Sequence, residues 1–190
     1  MVRVASETIK LIHHRGAYCA AMLVKLLKLP LDLPDGHPAK LNKDDNLFTR
    51  LGDYVSKCQT YEGGIAGRPD AESHGAYAFC ALACLCILGD PHITIPQYLH
   101  LPSLVSWLSS RQYGPEGGLA GRTNKLVDGC YSQWLGGCWP LIDAAIEGSD
   151  YTSILDGDES LYSREGLTRY ILGCGQDTSK RGGLRDKPGM

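Results

Sequence analysis

Two stretches of this chain repeat one another: "EGGIAGRPDAESHGAYAFCALACLCILG" from Glu62 and "EGGLAGRTNKLVDGCYSQWLGGCWPLI" from Glu116, 54 positions apart. They share Glu-Gly-Gly, then an apolar residue followed by Ala-Gly-Arg. Twelve positions after the glutamate a polar residue, His74 or Asp128, opens an apolar stretch. Self-similarity at a fixed spacing marks a repeated supersecondary unit, which buries its apolar face only against a neighbouring copy. A third copy begins with "RGGLRDKPG" at 181–189, and "HRGAYCAAMLVKLLKLP" at 14–30 matches only the helical half of an earlier one. The repeat array therefore reads as cut at both ends.

Apolar spacing says what each repeat contains. Residues 44–59, 103–112 and 160–176 carry apolar side chains three and four apart with one wet face, as amphipathic helices do, with Asp44 or Asp45 and Ser103 as N-caps. The segments after the glycine turns, about 15–28, 74–88 and 128–146, are apolar nearly all round and read as buried helices. Alternating wet and buried helices imply an outer and an inner layer, which closed into a ring is an α/α barrel and left open is a solenoid. No period-two run is long enough for a sheet. The expected fold is all-α, a partial α/α toroid of about three helix pairs forming one domain over residues 1–190, with Pro-, Gly- and Asp-rich connections at 30–43 and 147–159.

Composition removes several classes of function. A net charge of −2 and a pI near 6.3 leave no basic excess for a nucleic-acid partner. The longest apolar run, residues 76–89, is too short to cross a bilayer, and the first sixteen residues lack the order of a signal peptide. A cytoplasmic protein is expected. Most of the eight cysteines, including Cys19, Cys80, Cys84, Cys86 and Cys138, lie in apolar helical stretches and read as thiols, small hydrophobes rather than disulfides or a metal cluster.

Each turn delivers the first residues of a buried helix to one end of the barrel, so Arg15, His74 and Asp128 occupy equivalent rim positions. Asp128 and Cys130, two apart, could offer an oxygen and a sulfur to one Zn2+, although a stable site needs at least one more ligand. Arg122, Lys125 and His74 suit a diphosphate near helix N-termini. The plainer alternative is that Arg122 pairs with a carboxylate and His74 caps its helix. Tyr18, Tyr77 and Trp134 lie three or six residues past the rim and either line an apolar slot beneath it or belong to the core.

These residues carry a resemblance. From "CQTYEGGIAGRPDAESHGAYAFCALACLCILG" through "SRQYGPEGGLAGRTNKLVDGCYSQWLGGCWPLI" to "GGLRDKPG", the chain resembles the β subunits of protein farnesyltransferases over most of residues 15–189, most specifically in "GRTNKLVDGCYSQW". The resemblance implies a toroid of about six helix pairs, of which three fall here. It implies transfer of a farnesyl group from farnesyl diphosphate to the cysteine of a C-terminal CaaX motif, in a heterodimer with an α subunit. Asp128 and Cys130 would bind the catalytic Zn2+. His74, Arg122, Lys125 and Tyr131 would bind the diphosphate, and Tyr18, Tyr77 and Trp134 the isoprenoid. Arg15 would help recognise the peptide tail, and Asp186 would be associated with Mg2+.

One part of the pattern is missing. The family's third zinc ligand, a histidine, lies a few residues after "DKPG", and this sequence ends at Met190 before it. Two alternatives follow: an inactive, aggregation-prone helical interaction module, or a relative that transfers geranylgeranyl. Squalene-cyclase-like barrels share the toroid, but their acidic initiating motif is not present here.

Overall fold

The structure, a computed structural model, describes residues 14–147 and 161–188. Helices carry the architecture. In chain order they are α1 (His14–Leu26), α2 (Leu51–Cys58), α3 (Gly75–Leu88), α4 (Pro91–Tyr98), α5 (Leu101–Ser109), α6 (Tyr131–Trp134), α7 (Cys138–Ile146) and α8 (Arg164–Arg169), the last continuing as a π-helical turn over Tyr170–Cys174. Strand pairing among the described residues is limited to isolated bridges.

The centre is α3. Its fourteen residues, GAYAFCALACLCIL, include no charged side chain, and small residues such as Gly75, Ala78 and Ala81 let neighbours approach closely. It packs against α1, α4, α6 and α7, while α4 also meets α2 and α7. A helix apolar on every side is stable only when surrounded. Cys80 and Cys84 are fully buried there, and all eight cysteines are free thiols. Among the described residues no helix is long and apolar enough to cross a membrane.

The repeat is visible as backbone geometry. Gly63, Gly117 and Gly182 all have positive φ (97°, 74° and 63°), and Asp70 and Asn124, eight residues after the two glutamates, share φ of 60° and 57°. A side chain on Gly63 would strike the Ser103 carbonyl, and one on Gly117 the Gly166 carbonyl, so each turn lies flat on the first turn of the following outer helix. Two glutamines clamp that contact. Gln59 Nε2 donates to Gly63 O (3.0 Å) and His100 O (3.1 Å), while His100 N donates to its Oε1 (2.8 Å). Gln112 Nε2 donates to Gly117 O and Ser163 O (both 2.8 Å), and its Oε1 accepts from Ser163 N at 2.6 Å. His100 and Ser163 are the N-caps of α5 and α8. Each glutamine thus satisfies backbone groups that helix formation leaves open. Gln112→Ala removes three such bonds and is expected to cost about 2–3 kcal/mol, read as a lower urea midpoint; an unchanged midpoint would show the clamp to be idle.

Several helix boundaries depart from the periodicity. The helix expected over 44–59 begins at Leu51, because the buried Asp45 carboxylate does not cap it. It instead accepts from Leu41 N (2.9 Å) and Asn42 N (3.0 Å) and folds the preceding segment into turns, leaving Leu47 exposed. The segment expected at 103–112 runs from Leu101 to Ser109, with His100 rather than Ser103 as its cap. The single buried helix expected over 128–146 is divided into α6 and α7 around Gly136 and Gly137. A side chain at 137 would meet the Phe79 ring 2.8 Å away, so glycine there admits that ring. The segment 160–176 is helical only from Arg164, and at Tyr170 it widens to bonds from Gly175 N to Tyr170 O (3.0 Å). α1 is not buried all round: Ala17 and Ala21 face α3, but Leu23 and Leu26 are 56% and 69% exposed. α4, with Pro91 in its first turn and Pro96 inside it, had no periodic signal. The expected connection at 147–159 falls almost wholly outside the described residues.

Candidate functional site at the rim of the inner helices

The starts of α3 and α6 are built alike. His74, the N-cap of α3, accepts from Ala76 N through Nδ1 (3.1 Å), and Asp128, 54 positions later, accepts from Cys130 N through Oδ1 (3.0 Å). In each copy the next backbone N–H reaches across to the following turn. Gly75 N donates to Gly121 O (2.8 Å), and Gly129 N donates to Asp186 O (2.6 Å). These bonds bring Arg122 beside His74, and Asp186 and Lys187 beside Asp128. The equivalence of His74 and Asp128 therefore holds in three dimensions.

Arg122 Nη1 donates to Glu72 Oε2 at 3.0 Å, so the carboxylate pairing anticipated as the plainer reading is present, and His74 does cap its helix. Neither fact removes these groups from the rim. The Arg122–Glu72 pair is half exposed on both sides, where an ion pair is worth little. Lys125 is exposed and forms no ion pair among the described residues.

His74 sets the polarity of a short relay. Because its Nδ1 accepts, the ring proton belongs on Nε2, which lies 3.2 Å from the Tyr131 hydroxyl. Burial, assisted by Arg122 and Arg15, holds the imidazole below the usual histidine range. The neutral ring therefore donates to Tyr131, leaving the phenolic proton for an acceptor in the mouth. Burial first, then Cys130 and Asp128, raises the Tyr131 pKa and keeps that proton in place. Gly121 lies directly under the Tyr131 ring, where any side chain would collide with it.

Asp128 and Cys130 form a carboxylate–thiol pair. Burial pushes the Cys130 thiol up to about 12, and hydrogen bonding to Asp128 with the charges of Asp128 and Asp186 adds to the effect. Lys187 Nζ approaches Asp128 Oδ2 at 4.0 Å, and the Asp186 carbonyl also accepts from the Tyr170 hydroxyl (3.3 Å). Among the described residues no cluster of three His, Cys, Asp or Glu could hold a metal ion. One oxygen and one sulfur are chemically suited to zinc but make half of a tetrahedral site.

A model of the prenyltransferase alpha-alpha toroid domain matches residues 7–190. The chain belongs to this family. The toroid is 66% identical to the protein farnesyltransferase subunit beta of Pyricularia oryzae over 177 residues, 92% of this chain and 34% of that protein. It is 43% identical to the Schizosaccharomyces pombe subunit of the same name over 78% of this chain and 36% of that one. Among solved structures it is similar to Candida albicans protein geranylgeranyltransferase-I complexed with GGPP, with a TM-score of 0.67 at 25% identity, covering 93% of this chain and 44% of that chain. The toroid chain thus spans about a third of the length of the curated relatives it matches.

Below the rim, the toroid's aromatic side chains form a line. The Tyr18 ring meets Phe79 edge-on at 5.8 Å, and Phe79 meets Trp134 edge-on at 5.7 Å. Tyr77 instead contacts the His74 ring at the mouth (5.1 Å), so Phe79 joins the two outer members of the expected slot. Arg15 stacks over Trp134 at 5.5 Å, at the end of this line. Trp139 is core, stacked on Tyr162 at 5.4 Å. The sequence places Phe79 among the inner-helix aromatics but gives nothing to separate it from the core, and it does not point to Glu72 and Lys187, whose partners are 50 and 59 residues away.

Proposed function

We propose that this rim serves protein farnesylation: the farnesyl chain of farnesyl diphosphate is transferred to the cysteine thiol of a C-terminal CaaX peptide, in a β-type subunit paired with an α subunit. The observation that carries the reading is the juxtaposition of a carboxylate–thiol pair, Asp128 and Cys130, with the His74–Tyr131–Arg122 cluster, in a toroid 66% identical to a protein named farnesyltransferase subunit beta.

Each group then has a task. Asp128 and Cys130 would hold Zn2+ together with ligands outside the described residues, and bound zinc lowers the pKa of a coordinated thiol so that it is ionised at neutral pH. The incoming sulfur forms its bond to C1 of the farnesyl group as the C1–oxygen bond breaks and the electron pair leaves with the diphosphate. Charge grows on that leaving group, where Arg122 and Lys125 supply cations and the Tyr131 hydroxyl, backed by His74, supplies a proton donor. Donors fixed before the reaction need not reorganise during it. Asp186 adds a carboxylate for Mg2+ at the same end. Tyr18, Phe79, Tyr77 and Trp134 offer the isoprenoid an apolar wall, and Arg15 the peptide tail a cation.

The likeness to a geranylgeranyltransferase complexed with GGPP favours a second reading, the longer prenyl donor. Both are tested in one assay. With the full toroid co-expressed with an α subunit, turnover of a CaaX peptide is measured with each diphosphate. Faster transfer of farnesyl supports the first reading and faster transfer of geranylgeranyl the second. No transfer of either would leave a helical interaction module and end both.

A further inference from the structure

Arg111 is a buried cation with no ion pair among the described residues. Only 5% of it is exposed, its guanidinium lies 4.9 Å from the Trp107 ring centre, and its Nε has no hydrogen-bond partner. Burying a guanidinium this way is costly, so its remaining bonds must matter. Nη1 donates to Thr123 Oγ1 (2.8 Å) and Nη2 to Ser110 Oγ (3.1 Å). The Thr123 hydroxyl in turn donates to Glu62 Oε2 (2.8 Å), and the same oxygen accepts from Trp107 Nε1 (3.3 Å). The positive charge of Arg111 is thus balanced at one remove, through the threonine that stands between Arg122 and Lys125.

The other two glycine turns show that the fold does not require this network. Ala66 N, Ala120 N and Arg185 N donate to Cys58 O, Arg111 O and Gly175 O at 2.8, 2.8 and 2.7 Å, so Arg111 is the structural counterpart of a cysteine and a glycine. Counted from the start of each turn, Thr123 corresponds to Pro69 and Pro188, which have no hydroxyl. All three turns keep the same positive-φ glycine. Among the described residues the arginine–threonine contact occurs only on the turn that carries Arg122 and Lys125, and Glu62, which opens the preceding turn, closes it.

We infer that Arg111, acting through Thr123 and Glu62, is a positioning residue that holds the Arg122–Lys125 turn against the diphosphate of the prenyl donor. The inference rests on the diphosphate reading given above. Two cations on a short exposed turn bind a compact anion well only if the turn is already in place, since otherwise binding must also order it.

The test uses the full toroid assembled with its α subunit and compares Thr123→Val, Thr123→Ser and Arg111→Lys. Affinities are measured for farnesyl diphosphate, for inorganic diphosphate and for farnesol, which has the chain without the charge. Thr123→Val is expected to weaken both diphosphates about fivefold to tenfold, as the loss of roughly one hydrogen bond would, while farnesol binding stays unchanged. Thr123→Ser restores wild-type affinity. Arg111→Lys, which keeps the charge but not the stacked fork, raises KM for farnesyl diphosphate with little change in kcat. Wild-type diphosphate affinity in both Thr123→Val and Arg111→Lys, alongside its loss in Arg122→Ala, overturns this inference and leaves the functional reading standing. A wild-type protein that binds neither diphosphate overturns both.

Discussion

On the proposed farnesylation reading, Cys130→Ser is expected to lower the zinc content of the toroid assembled with an α subunit and to cut turnover of a CaaX peptide by at least about a hundredfold. The serine hydroxyl keeps its proton and its hardness, so Asp128 loses its only described sulfur companion at the rim. Unassisted, a peptide thiol of pKa near 8.5 is only about 3% ionised at neutral pH, so loss of that ionisation alone accounts for about thirtyfold. The remaining loss comes from misplacing the sulfur relative to C1. Metal content by elemental analysis and steady-state kcat check the prediction together. A variant with full zinc and full turnover would remove Cys130 from the site. Because Cys130 is only partly buried and its helix α6 is one turn long, the substitution should leave thermal unfolding nearly unchanged.

Gly117→Val is expected to remove a large part of the toroid's stability. At φ +74° a β-branched residue is strained, and its side chain would collide with the Gly166 backbone, which cannot move aside without displacing α8. Together these cost at least about 3 kcal/mol, set against a total stability of about 5–15 kcal/mol for an ordinary domain. Gly182→Ala supplies the control. Its φ is +63°, yet nothing lies within 4 Å of the added carbon, so only the backbone penalty of about 1–2 kcal/mol applies. Urea denaturation of the two variants separates the terms. Equal losses would show that the close approach to Gly166 contributes nothing.

The rim was legible because repeated copies mark their own equivalent positions. His74 and Asp128 stand at matching places in two copies, and their matching bonds to Ala76 N and Cys130 N follow from that register. Arg122, matched by Arg68, shares that register, whereas Lys125, which falls opposite Ala71, stood out only as a cation just before the Asp128–Cys130 pair and through the family resemblance. The helix limits were harder. Asp44 or Asp45 stood where an N-cap is favoured, but the helix begins only at Leu51 and Asp45 accepts backward from Leu41 N and Asn42 N. α4 carries Pro96 in its interior, which argues against a helix wherever tertiary packing does not overrule it.

What the sequence determined by itself was the repeat period, the two-layer helical architecture, the positions that require glycine and the polar residues that open each inner helix, because each depends on local backbone conformation or on apolar spacing along one element. Tertiary structure alone decided which rim residues meet: Tyr131 with His74 across 57 positions, Thr123 with Glu62 across 61, and Gly129 with the Asp186 carbonyl. Those meetings join one repeat to the next. They are set by how closely the inner helices and turns can stack, a distance governed by small residues such as Gly75, Gly121 and Gly137, and that no pattern within a single segment encodes.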